Sequence, residues 1–136
     1  MYKSIIFDIG GVMVDFDPKA YLVDRLCSAE MEEKVYDLTF GSEEWKKLDA
    51  GLISRFEGNA TMLKNAQAAG CEFEVQGVLD DWTHILRPRH RMIELVRRLK
   101  NHGYCVYYLS NIPEDILELL TARGVLDQFD GGVASC

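Results

Sequence analysis

Two short apolar runs, each ending in small polar residues, constrain the fold of this chain most. Residues 3–7 and 104–109 are rich in β-branched and aromatic side chains and do not alternate with polar ones. Such runs are typical of strands that are buried on both faces of a parallel sheet. A weaker third strand is predicted at 131–135. Helical patterns separate the runs, so the sequence predicts an α/β, Rossmann-like parallel sheet with right-handed crossovers.

A long helical stretch follows the first strand. Asp17-Pro18 is a typical helix start, and further starts are predicted at Ser28, Ser42 and Ser54. Four or five helices joined by short connections indicate a small bundle. We therefore expect a helical cap over residues 17–86, inserted into an α/β core formed by residues 1–16 and 87–136. This cap is expected to cover the carboxyl edge of the sheet.

Two more helices are predicted in the second part of the core. Arg87-Pro88 is interpreted as the start of the first, which ends at Gly103. Pro113 starts the second, which ends near Gly124. Each of these helices connects one predicted strand to the next.

Charge and composition exclude several classes of function. Fifteen Lys and Arg against twenty-two Asp and Glu give a net charge of -7, which disfavours binding to a nucleic-acid backbone. The chain has no run of about 18 apolar residues, so no membrane span is expected. The amino-terminal segment lacks the cleavage site of a signal peptide. Four scattered cysteines without a CxxC pair are typical of a reducing compartment, so we expect a cytoplasmic protein.

The ends of the two main strands carry the candidate site. Asp8 ends the first run and precedes Gly10 and Gly11, and Ser110-Asn111 ends the second. In open α/β sheets, ligands bind at the carboxyl ends of the strands. The backbone of a glycine turn can hold an anion or help to ligate a hard cation. From the residues alone, an Asp that ends a strand can equally be a turn former.

The segments IIFDIGGVMVDFDP and YCVYYLSNIPED resemble the first two motifs of the haloacid dehalogenase (HAD) superfamily. With the connecting LRPRHRMIELVRRLKNHGY, the chain is similar to the sugar-phosphatase branch that includes α-glucose-1-phosphate phosphatases. The helical insert stands where this superfamily has its first-type cap. The resemblance covers nearly the whole chain.

The resemblance implies a phosphohydrolase that acts on a small phosphorylated metabolite, such as a sugar phosphate. Asp8 would be the nucleophile and would form an aspartyl-phosphate. Mg²⁺ would bind to Asp8 and the carbonyl of Gly10, while Gly11, Ser110 and Asn111 would bind the phosphate. Trp45 and the pair Lys46-Lys47 are candidates to cover the leaving group, although a Trp in a cap core and a solvated Lys pair are the simpler interpretations.

Two departures from the family pattern matter. Many of its phosphatases have an Asp two residues after the nucleophile as general acid and base, and this chain has Gly10 there. The later motifs, a Lys and a pair of acidic residues, have no counterpart before Cys136. We therefore expect an incomplete core, a truncated chain with little turnover by itself, and an open edge on the Asp8 strand.

That open edge keeps two other functions under consideration. The first is a non-catalytic HAD-like module that binds a partner or forms a homodimer through the sheet edge. The second is a 2-haloacid dehalogenase, which uses the same nucleophile without a metal. The dehalogenase is expected to have a bulkier residue in place of Gly10 and an Arg in the cap.

Overall fold

A computed structural model describes residues 3–136, which divide into two compact units. The α/β unit ends at Phe16 and resumes at Leu86, and the helical unit is Asp17–Ile85. No helix within residues 3–136 has the length and apolar character needed to cross a membrane. The elements are β1 (Ser4–Phe7), β2 (Val14–Asp15), α1 (Pro18–Leu26), α2 (Ala29–Leu38), α3 (Glu43–Asp49), α4 (Arg55–Ala69), α5 (Glu72–Asp81), a 3₁₀ turn (Trp82–Ile85), β3 (Arg87–Pro88), α6 (His90–Asn101), β4 (Cys105–Ser110), α7 (Glu114–Ala122) and β5 (Gly131–Ala134).

The α/β unit contains a three-stranded parallel sheet with the order β1-β4-β5. Phe7 lies beside Tyr108, which in turn lies beside Gly132. The ring of Phe129 packs edge-on against both aromatic side chains, with centroid distances of 6.2 Å to Phe7 and 5.7 Å to Tyr108. The predicted α/β class and parallel sheet are confirmed.

Among the described residues 3–136, one face of this sheet is covered and the other is not, so the prediction that its strands are buried on both faces is wrong. Val106 is fully buried, whereas Ile6, Leu109 and Val133 on the other face are 65%, 58% and 63% exposed. The reason lies in the topology. The strand order advances in one direction and right-handed crossovers place successive helices on the same side, so α6 and α7 cover the same face.

A two-stranded antiparallel ribbon, β2-β3, pairs Val14 with Pro88 and Asp15 with Arg87. The prediction that Arg87-Pro88 opens a helix is therefore wrong, and α6 begins at His90 after Arg89. A residue that precedes proline is restricted to extended backbone, which favours a strand at this position. The ribbon joins the two points where the chain leaves and re-enters the α/β unit.

The helical unit begins most of its helices at the predicted polar caps. The side chains of Asp17, Ser28, Ser42 and Ser54 each accept a hydrogen bond from a backbone N–H of the first helical turn. Ser54 also forms a capping box with Glu57. Each such cap contributes about 1 kcal/mol, because it satisfies donors that the helix leaves unpaired.

An aromatic cluster, formed by Phe40, Trp45 and Trp82, lies at the core of the helical unit. The two indole rings are 4.8 Å apart in an edge-on arrangement, and Phe40 lies 4.7 Å from Trp45. The guanidinium of Arg55 stacks on both indoles at 5.1 and 5.0 Å. This cluster joins the 3₁₀ turn to α3 and α4.

A polar group of three side chains ties α1 to the end of α5. Asp81 accepts hydrogen bonds from the Tyr21 hydroxyl and from Arg25 Nη1, the latter at 2.5 Å. Burial, together with the bond to Asp81, raises the pKa of Tyr21 well above its usual range, so its hydroxyl stays a donor. The helical unit is thus held by an apolar core and by a hydrogen-bonded clamp at its edge.

Candidate functional site

Asp8 directly follows β1 and is exposed. Its Oδ1 accepts a hydrogen bond from the backbone N–H of Ile9 at 2.7 Å. A bond to the next residue restricts the rotamer of the carboxylate while Oδ2 takes no part in it. The carboxylate is therefore held at the end of the strand and open to solvent.

The turn after Asp8 is anchored by a single carbonyl. The Ile9 oxygen accepts the N–H groups of Val12, Met13 and Val14 at 3.2, 2.9 and 3.1 Å. The side chains of Ile9, Met13 and Val14 are at most 1% exposed, so they fix this turn in the core. Gly11 lies in the left-handed region at φ +73°, where a side chain would be strained. The sequence thus builds a rigid turn next to the carboxylate.

Gly10 offers its backbone groups to the surface. It forms an isolated parallel bridge with Val14, whose two hydrogen bonds use the Ile9 carbonyl and the Gly11 N–H. The carbonyl of Gly10 takes no part in that bridge. Gly10 is exposed, and a Cβ added to it would meet nothing within 4 Å. The structure therefore leaves space for a Cβ at this position.

Ser110 and Asn111 stand at the same edge of the sheet as Asp8. The register pairs Phe7 with Tyr108, so Asp8 comes one residue after that pair and Ser110 two residues after it. Ser110 is the last residue of β4 and is 7% exposed, whereas Asn111 is exposed. Both strands run in parallel, and their carboxyl ends bring the three predicted side chains to one edge of the α/β unit.

The predicted contributors from the helical unit have simpler roles within that unit. Trp45 is 6% exposed and belongs to the aromatic cluster. Lys46 forms an exposed ion pair with Glu43 at 2.5 Å, and Lys47 is exposed. The geometry within the helical unit agrees with a core tryptophan and a solvated lysine pair.

Two other carboxylates near Asp8 in sequence are engaged elsewhere. Asp15 forms an ion pair with Arg89 at 2.5 Å, and Asp17 caps α1. Sequence reasoning missed the role of Arg89, because 74 residues separate it from Asp15 and no local pattern links them. Since both carboxylates have other partners, the geometry gives neither of them the role of general acid.

Residues 3–136 contain no group of three or more His, Cys, Asp or Glu side chains that could hold a metal ion by themselves. Mg²⁺ requires fewer protein ligands than that, since it keeps several waters and uses one or two carboxylates together with substrate phosphate oxygens. The Asp8 carboxylate and the Gly10 carbonyl are oxygen donors of the required kind. The donor set therefore fits Mg²⁺ when a phosphate group is bound with it.

No family model matches the chain. The sesquiterpene phosphatase astK of Aspergillus oryzae is 32% identical over 135 residues, which are 98% of this chain and 64% of that protein. The chain thus spans a little less than two thirds of the length of this curated relative.

Solved structures share the fold over almost the whole chain. The HAD-family enzyme BT-2542 of Bacteroides thetaiotaomicron, in complex with magnesium and inorganic phosphate, matches with a TM-score of 0.66 at 18% identity, over 99% of this chain and 69% of that one. L-2-haloacid dehalogenase of Xanthobacter autotrophicus matches with a TM-score of 0.60 at 19% identity, over 98% and 57% of the respective chains. Together with the parallel sheet and its inserted helices, these matches show that the chain has the fold of the HAD superfamily of hydrolases.

Proposed function

We propose that this chain carries the nucleophile and part of the phosphate site of a HAD-type phosphohydrolase. The observation that carries the proposal is the exposed Asp8 carboxylate, which a rigid turn holds at the sheet edge where β4 also ends. A relative that is named as a phosphatase supports a hydrolase rather than a binding protein. It also favours phosphate ester hydrolysis over dehalogenation.

In the proposed reaction, an Asp8 oxygen attacks phosphorus as the bond to the leaving oxygen breaks. The leaving oxygen takes up a proton and departs as an alcohol, and Asp8 becomes an aspartyl-phosphate. Water then attacks the phosphorus, which releases inorganic phosphate and restores the carboxylate. Because Gly10 has no side chain and Asp15 and Asp17 are engaged, the proposal assigns the proton to water rather than to a carboxyl group of this turn.

The remaining candidates position the phosphoryl group. The Ser110 hydroxyl and the Asn111 amide would donate hydrogen bonds to its oxygens. The Gly11 N–H donates to the Val14 carbonyl, so Gly11 would contribute to the phosphate site through the turn that it forms. Mg²⁺, held by Asp8 and the Gly10 carbonyl, would offset the negative charge of the phosphate when bound. Magnesium in the BT-2542 structure supports this assignment.

The helical unit is proposed to act as a cap that selects the leaving group. Resemblance favours a sugar phosphate, whereas the name of the fungal relative favours a terpenoid alcohol phosphate. That relative matches 98% of this chain at 32% identity, so its name carries more weight for the substrate class than a resemblance in short motifs. We therefore place the terpenoid alcohol phosphates first in the proposal and sugar phosphates second. The proposed location of the protein is the cytoplasm.

The test is phosphate release with Mg²⁺ from farnesyl phosphate and from glucose 1-phosphate, by the wild type and by Asp8→Asn. We expect the rate of phosphate release by Asp8→Asn to be at least about 10³-fold lower than that of the wild type, because the nucleophile is removed. Asp24→Asn, which removes an exposed charge on α1, is the matched control and should keep full activity. Equal activity of Asp8→Asn and wild type would refute the assignment.

A second candidate function, a module that associates with copies of itself, rests on the open side of the sheet. Within residues 3–136, β1 has a neighbour only on its β4 side, and the adjoining exposed face is apolar. Strand edges of this kind pair readily with other chains. Light scattering after size exclusion at about 5–100 μM, on the order of the dissociation constants of weak dimers, discriminates the two functions. A constant monomer mass contradicts the module, and a concentration-dependent dimer supports it.

A further inference from the structure

The segment that follows Asp8 is bound by Arg89, which lies just after the chain re-enters the α/β unit at Leu86. The Arg89 backbone N–H donates to the Met13 carbonyl at 2.8 Å, and its Nε donates to Asp15 Oδ1 at 2.5 Å. Arg89 therefore contacts the segment twice, once on each side of Val14. Met13 and Val14 are the residues whose N–H groups close the turn on the Ile9 carbonyl.

This arrangement links the ion pair to the nucleophile through a short chain of contacts. Arg89 holds Asp15 and Met13, Met13 and Val14 bond to Ile9, and the Ile9 N–H bonds to the Asp8 carboxylate. Each link is a direct hydrogen bond or a neighbouring residue. The bond from the Arg89 N–H to the Met13 carbonyl belongs to the ladder of the β2-β3 ribbon, which has two residue pairs and is short for an isolated ribbon. The side-chain bond from Arg89 to Asp15 is the contact added to that ladder.

We propose that Asp15 and Arg89 form a positioning pair, which fixes the turn that orients the Asp8 carboxylate. The catalytic part of this inference rests on the proposed phosphohydrolase function, whereas its structural part does not. Neither residue touches the reacting atoms in the proposal. Their loss should allow the turn at 9–14 to open more often, so that Asp8 spends less time in the orientation needed for attack.

A matched pair in the same unit provides the control. Arg97 and Glu94 form an ion pair at 2.6 Å with side-chain exposures of 53% and 51%, close to the 44% and 52% of Arg89 and Asp15. Both residues of the control lie within α6, three positions apart. The two arginines thus differ mainly in what they connect, and Arg97→Gln removes an equivalent charge without touching the turn.

The experiment measures amide hydrogen exchange and steady-state kinetics for Arg89→Gln, Arg89→Lys, Asp15→Asn, the double variant and Arg97→Gln. Arg89→Gln and Asp15→Asn should each speed exchange at residues 11–14 by a factor of about 3 to 5, the scale expected for loss of an exposed ion pair. The double variant should match the single ones, since one interaction is lost in all three. Arg89→Lys should restore part of the protection, and Arg97→Gln should leave it unchanged.

The kinetic readout then separates positioning from general stability. For the variants of the pair, kcat should fall by about the same factor while KM stays within about twofold. Unchanged exchange at residues 11–14 in Arg89→Gln, an equal change in Arg97→Gln, or additive effects in the double variant would each overturn the inference. A wild type without phosphate release would refute the proposed function, while the exchange data would still decide whether the pair fixes the turn.

Discussion

The two units of this chain differ in how completely they bury their apolar residues and in where they carry charge. The helical unit closes its aromatic cluster and contains seven basic and fourteen acidic residues, so it holds the whole net charge of -7. The α/β unit has eight residues of each sign and leaves one sheet face apolar and exposed. The proposed nucleophile thus lies in the neutral, partly open unit, and the proposed cap is the charged, closed one.

This difference follows from how the helices and strands of each unit pack against one another. Helices joined by short connections pack against their neighbours in sequence, so the helical unit buries its aromatic cluster, although Phe56 and Phe73 on its surface stay 83% and 88% exposed. A sheet built by right-handed crossovers in one direction covers one face only. The helical unit is therefore expected to respond to core truncation, whereas the open face of the α/β unit should not.

The largest expected effect is that of truncation in the aromatic cluster. Trp82→Ala should lower the free energy of unfolding of the helical unit by about 3–5 kcal/mol, because it removes a side chain that is 4% exposed and contacts Trp45 and Phe40. Leu109→Ala on the open sheet face should change the free energy of unfolding of the α/β unit by less than about 0.5 kcal/mol.

Urea unfolding followed by the fluorescence of Trp45 measures the first effect, since both tryptophans lie in the helical unit. Hydrogen exchange in β4 measures the second. A large loss from Leu109→Ala would mean that the sheet face is covered in solution, and the contrast between the units would be wrong.

A smaller effect compares two glycines, one from each unit. A Cβ on Gly132 would lie 2.3 Å from Cγ of Tyr108, whose ring is fixed on the covered sheet face, so Gly132→Ala should cost roughly 1–3 kcal/mol. A Cβ on Gly77 would lie 2.5 Å from Nη2 of Arg25, the flexible end of a long side chain. The gain in helix propensity in α5, about 1 kcal/mol, should offset the displacement of Arg25.

Thermal melts of the two variants, monitored by far-ultraviolet circular dichroism, test this pair of expectations. The Gly132 variant should melt several degrees lower, whereas the Gly77 variant should stay close to the wild type. The opposite order would show that Arg25 cannot move away from Asp81 and that the clamp is the more rigid of the two contacts.

The local features of the molecule could be predicted from the sequence, and the non-local ones could not. Ser28, Ser42 and Ser54 cap their helices as predicted because a cap depends on residues within one turn. The apolar run around Ile6 predicted two covered faces, because a strand with one solvated face ordinarily alternates apolar and polar residues and this run does not. What covers a face depends on topology.

The site shows the same division. Asp8 and Ser110 could be placed at strand ends from short motifs, and the strand register brings those ends to one edge of the sheet. The pair Asp15 and Arg89 could not be predicted, because their contact depends on a ribbon formed across 74 residues. The Arg87-Pro88 helix was wrong for the same reason, since the partner strand at Val14 decides the conformation of that segment.

The smallest expected effect concerns the pKa of Asp49, the last residue of α3 in the helical unit. Asp49 is half-buried, and burial raises its pKa to about 6 even though Arg55 acts in the opposite direction. The folded state therefore binds the proton more tightly than the unfolded chain does, so Asp49 costs no stability below about pH 4 and costs most above about pH 6.

Asp49→Asn removes this dependence and should stabilise the helical unit at pH 7 by about 1 kcal/mol, a value discounted for the partial exposure of the carboxyl. Urea unfolding at pH 4, 5, 6 and 7 measures the difference, with Asp24→Asn as the exposed control. A gain that is the same at every pH would mean that the Asp49 carboxyl is fully solvated, and the helical unit would then be less tightly closed than its aromatic cluster indicates.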